Sequence, residues 1–92
     1  MAHGIGRKKI WSQFRARYIA LAMRVRDELV SKYPDKRDRA EGMIDIIIKK
    51  LYYLKGHSIG DYTHTVYQMC REFKEICMLM PSKEEIEGLG KT

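Results

Sequence analysis

The sequence predicts an all-α protein: a small three-helix bundle or helical hairpin with a long basic first helix, completed by self-association. Three observations predict it. Apolar residues recur at spacings of 3 and 4 along most of the chain, which is helical rather than strand periodicity. Pro34, Gly56 and Pro81 punctuate that pattern where helices should stop. At 92 residues and 45% hydrophobic, the chain builds one modest core that contact with a neighbouring subunit would help to complete.

Residues 1–6 contain Gly4 and Gly6 without an apolar pattern and read as a flexible basic arm. A single helical domain over 7–81 follows, with helices at about 7–33, 36–54 and 59–80. A short helical tail occupies 82–92. In the first helix Trp11, Phe14, Tyr18, Leu21, Ala22, Val25 and Leu29 fall within about 100° of one another at 100° per residue and must face a core. A second, weaker strip of Ala16, Ile19, Met23 and Val30 lies about 130° away, so the helix has two faces to cover and a neighbouring subunit is expected on one of them. Lys8, Arg15 and Arg26 sit between the strips, and Arg17 and Arg24 flank the main one on its other side.

Pro34 ends this helix because the residue before a proline avoids the α region, and Asp35 is placed to cap the next. The second helix buries Ala40, Met43, Ile44, Ile47, Ile48, Leu51 and Leu54. Its run from Ile44 is rich in Ile and Tyr, a strand signal in isolation, but the helical spacing persists for three turns. Gly56 closes it, and Ser58 with Asp61 resembles a capping box for the third helix. There Ile59, Tyr62, Val66, Met69, Phe73, Ile76 and Met80 alternate 3 and 4 without a break, as in a coiled-coil-like seam or the core of a small bundle. Ser82 with Glu85 suggests a last capping box after Pro81.

Cys70 and Cys77 would lie on one face of such a helix, two turns or roughly 10 Å apart, too far to bridge each other. They read as small buried hydrophobes, with an intermolecular disulfide or a metal role as the alternative. His3, His57 and His64 add no metal-ligand spacing, and no metal site, cofactor or small-molecule substrate is implied. Nucleotide loops, metallohydrolase and CxxC motifs and a nucleophile elbow are all missing from the sequence, so it predicts a protein that is not an enzyme. No run approaches the roughly 20 apolar residues of a membrane span, and the N-terminus lacks the apolar core of a secretory signal. An intracellular or intravirion setting is expected.

Charge gives the functional direction. Residues 1–33 hold eight Lys/Arg against Asp27 and Glu28, a net of +6, whereas 34–92 hold ten of each sign and cancel. The whole net charge of +6 thus sits on the first third, and no acid precedes Asp27. Such asymmetry is the footprint of a surface that meets a polyanion. Arg7, Lys8, Lys9, Arg15, Arg17, Arg24 and Arg26 are the candidate nucleic-acid contacts, five of them arginines whose planar fork suits phosphate. Trp11, Phe14 and Tyr18 interleave them but belong to the core stripe.

The expected function is to coat or package double-stranded DNA through the phosphate backbone, as a homo-oligomer or filament. Two alternatives stay open. The stretch from Leu54 to Phe73 resembles a helix-turn-helix, with Gly56, Ile59, Gly60, Val66 and Met69 in suitable places and Lys55 and Asp61 in unsuitable ones. Thr63, His64, Tyr67, Gln68 and Arg71 would then read the major groove as a sequence-specific regulator. In the other alternative the basic helix docks on an acidic protein, as in a small phage or viral adaptor or inhibitor.

Gly4, Arg7, Trp11, Ser12, Gln13 and Arg15 also form a pattern of Gly and Arg followed by an aromatic-Ser-Gln-x-Arg stretch. Over about twenty residues it resembles the N-terminal arm of the DNA-wrapping major capsid proteins of filamentous archaeal viruses. The resemblance implies helical subunits that pair and encase DNA without reading its sequence.

Overall fold

The computed structural model describes the backbone of residues 3–90 and the side chains of residues 9–89. Every regular element in that range is helical: α1 (His3–Lys32), α2 (Arg37–Tyr52), α3 (Ile59–Cys70) and α4 (Lys83–Gly90), with 3₁₀ segments at Pro34–Lys36, Gly56–Ser58 and Lys74–Leu79. The Cα envelope measures 52 × 18 × 18 Å, an elongated rod whose long axis suits the 30-residue α1.

Helix α1 contains no proline, and its middle is built from Ala, Leu, Met and Arg, all strong helix formers. It begins at His3, four residues before the expected start, so His3 to Gly6 extend the helix instead of forming a separate arm; Met1 and Ala2 lie outside the described residues. Its main stripe is the core face: Phe14, Tyr18, Ala22, Val25 and Leu29 are buried, with Trp11 and Leu21 half-buried at the margin. The chain turns at Tyr33, whose ψ of 65° is non-helical ahead of Pro34. Asp35 falls within the 3₁₀ turn rather than capping α2. Helix α2 buries Ala40, Met43, Ile44, Ile47 and Leu51 and half-buries Ile48, so the strand signal of its Ile-rich run gives way to packing on α1.

Two expectations fail at the third helix. Ser58 does not cap it; its hydroxyl accepts from the Lys55 N–H at 2.6 Å, while Asp61 pairs with Lys50 at 2.6 Å. More consequentially, α3 ends at Cys70, and the next residues return as a 3₁₀ segment entered through an extended Phe73. Cys70 and Cys77 then stand 5.0 Å apart at Cα and are paired as a disulfide, which corrects the expectation that they cannot bridge. The buried hydrophobic side chains of this segment are Phe73, Ile76 and Leu79, while Met80 is 36% exposed. Spacing by 3 is the signature of a 3₁₀ helix, in which residues i and i+3 eclipse.

The segment is anchored from below by Tyr62, whose hydroxyl donates to the Leu79 carbonyl at 2.9 Å within the core. Burial pushes the Tyr62 phenol well above its ordinary range. Tyr62→Phe leaves that carbonyl without its partner and is expected to cost about 1–2 kcal/mol in a denaturant titration. On α4, Ser82 accepts from the Glu85 N–H at 3.1 Å and donates its own N–H to the Glu85 carboxylate at 3.4 Å, the capping box that the sequence suggests. Buried Leu89 fixes this helix to the bundle.

Lys32 at the end of α1 reaches Glu75 of the 3₁₀ segment at 2.8 Å, and the Glu75 side chain is only 6% exposed. The hydrogen bond from Lys32 holds the Glu75 carboxyl below its ordinary value, just as Arg39 holds Glu72 down on the surface. Groups with depressed folded pKa values stabilise fully above their unfolded values and lose that contribution as pH falls through the folded ones. The midpoint of denaturant unfolding should therefore fall as pH drops below the ordinary carboxylate range, and Glu75→Gln should flatten that dependence.

Candidate nucleic-acid interface

The seven cations of the first helix do not form one patch. At 100° per residue Arg17 and Arg24 lie on one flank of α1, whereas Arg15 and Arg26 lie about 180° from them. The core occupies the sector between, and the neighbours differ on the two sides.

On the α2 side, Arg15 is half-buried and its Nη2 donates to the Leu54 carbonyl at 3.2 Å, just past the end of α2. Such carbonyls have no intrahelical donor, so Arg15 completes the end of its neighbour. Its Nε is buried with no partner among the described residues. Arg26 contacts Asp27 at 3.6 Å and shares a cleft with Glu41 and Asp45 of α2. Acids surround this edge, and a phosphate would meet them first.

On the opposite side, Arg17 meets Glu85 of α4 at 3.2 Å, yet its side chain remains 66% exposed. Its guanidinium also lies 5.5 Å from the centre of the Tyr18 ring. Burial, with the hydrogen bond to Glu85, pushes the Tyr18 hydroxyl up to about 12, so it stays protonated and donates to Glu85 at 3.0 Å. Arg24 is exposed and makes no ion pair among the described residues. Lys9 is exposed as well, and Gln13, Ala16 and Ala20 between these cations are exposed and offer no acid. Lys9, Arg17 and Arg24 thus line one outer edge about 22 Å long. The side chains of Arg7 and Lys8 lie outside the described residues.

Glu85 could be foreseen only as a cap; nothing local in the sequence indicates that its carboxylate reaches Arg17, 68 residues away. The same holds for Arg15, whose burial follows from where the end of α2 lands.

The second weak strip of α1 is open. Ala16 and Met23 are exposed, Met23 at 43%, while Ile19 and Val30 are half-buried. Ile46, Tyr52, Tyr53, Tyr67 and Met78 are further large apolar side chains left in solvent.

For the helix-turn-helix alternative, α3 does present His64, Tyr67 and Gln68 outward, and Arg71 just past its end is exposed with its guanidinium 5.1 Å from the Tyr67 ring centre. Thr63 instead bonds back to the Gly60 carbonyl at 3.0 Å. The connection from Tyr53 to Ser58 is longer than the three- or four-residue corner of that motif, and Gly60 lies inside α3 rather than in the turn. Among the described residues no group of three or more His, Cys, Asp or Glu is placed to hold a metal, and no helix is long and apolar enough to cross a membrane. Compared with protein-family models, curated proteins and solved structures, the chain matches none.

Proposed function

We propose that this protein coats double-stranded DNA through phosphate contacts from the outer edge of α1 and associates with itself as it does so. The observation that carries the reading is the exposed cationic edge Lys9–Arg17–Arg24, paired among the described residues with a single carboxylate, Glu85 on Arg17, on a helix that holds the entire net charge of the chain. Arg17 keeps donors available beside Glu85, and Ala16 and Ala20 leave room for a sugar–phosphate backbone to approach. Exposed Met23, with half-buried Ile19 and Val30 beside it, marks the side of α1 on which a second subunit would pack. No catalytic step is involved, and base sequence is not read. The N-terminal resemblance to DNA-wrapping capsid proteins points the same way.

One set of observations favours a second reading, an adaptor on an acidic protein: Tyr52, Tyr53 and Tyr67 are each more than half exposed, and interfaces favour Tyr, Met and Arg. Purification without a nuclease step separates the two. A coating protein carries nucleic acid and raises the ratio of absorbance at 260 to 280 nm until high salt strips it. An adaptor elutes with the ratio of bare protein.

A further inference from the structure

The break after Cys70 has no local cause in the sequence: Arg71 to Met80 contain no glycine or proline. The apolar spacing of a continuous helix runs straight through it, from Ile59 to Met80. The sequence pattern of 59–80 is therefore compatible with a continuous helix as well as with the broken form. In a continuous helix the Cα atoms of Cys70 and Cys77 would be about 10 Å apart, beyond the reach of a disulfide, whereas in the broken form they are 5.0 Å apart. Disulfide and continuous helix exclude each other.

We infer that Cys70 and Cys77 form a reversible thiol–disulfide site that selects between these two arrangements. Its co-reactant is a small external thiol and the corresponding disulfide. Cys77 is exposed and Cys70 half-buried, so an external thiolate reaches the Cys77 sulfur. Attack forms a bond from the external sulfur to Cys77 Sγ and breaks the Sγ–Sγ bond, and Cys70 leaves as a thiolate. A second external thiolate attacks the first external sulfur, releasing Cys77 as a thiolate and yielding the external disulfide. The protein sulfurs gain two electrons and take two protons from water; oxidation is the reverse.

The two forms bury different residues. In the broken form Leu79 and Glu75 face inward and Met80 is partly exposed. In the continuous helix Met80 returns to the seam, while Leu79 turns about 110° and Glu75 about 150° away from it. Reduction therefore exchanges Leu79 for Met80 and takes Glu75 off Lys32.

The test compares oxidised protein with the same protein reduced by a phosphine, using far-UV circular dichroism and amide exchange over residues 71–80. The expected result is a gain in helical signal of roughly a tenth, with amides 73–77 becoming at least tenfold better protected. Cys70→Ser/Cys77→Ser should match the reduced wild type. Lys74→Pro supplies the control, because Lys74 opens the 3₁₀ segment after an extended Phe73, a position that accepts proline, while a continuous helix does not. Reduced Lys74→Pro should keep the oxidised spectrum. An unchanged spectrum on reduction of the wild type, a loss of helical signal, or an equal gain in Lys74→Pro would each overturn the inference.

Discussion

Replacing Lys9, Arg17 and Arg24 together by Gln should lower the slope of log K against log salt by about 2.7, because each lost phosphate contact on duplex DNA removes about 0.9. All three side chains are exposed, and the ion pair disturbed among the described residues is Arg17–Glu85 at the surface, so the variant should keep its unfolding midpoint. Arg15→Gln should behave in the opposite way. Its guanidinium is committed to the Leu54 carbonyl and partly buried, so its loss should cost about 1 kcal/mol or more of stability while the salt slope hardly changes. The pair of variants separates cations that face solvent from those that finish the fold. A loss of about 0.9 of slope on Arg15→Gln would show that Arg15 also contacts phosphate and that the two edges of α1 act together.

The second large effect concerns the 3₁₀ segment. Leu79 is fully buried, so Leu79→Ala should cost about 2–5 kcal/mol from lost burial and the cavity left behind. Met80 is 36% exposed and should lose less than about 1 kcal/mol on truncation to Ala. A continuous helix would rank the two in reverse, so denaturant titration of the oxidised variants reports directly on the register of this segment.

The contrast between these residues also marks how far the sequence could be read. The stripe from Phe14 to Leu29 and the set from Ala40 to Leu51 were legible because a helix repeats its buried positions locally, and packing followed that repeat. Pro34 and the Ser82–Glu85 box were legible for the same reason, since their chemistry acts within a few residues. The end of α3 was not, because Phe73 packs 5.3 Å from Tyr33 and Glu75 pairs with Lys32, contacts made across about forty residues of sequence. The candidate interface divides likewise. The absence of acid before Asp27 marked α1 as the basic element, but which arginines face solvent depended on where Leu54 and Glu85 arrive in space.

The most direct test of the coating proposal is a fluorescence titration of random-sequence duplex with the wild-type protein at two salt concentrations. Three phosphate contacts per subunit predict an affinity about fortyfold weaker at 200 mM than at 50 mM salt, with any duplex competing equally well. No binding at 50 mM, or an affinity indifferent to salt, would rule out DNA coating through these phosphate contacts.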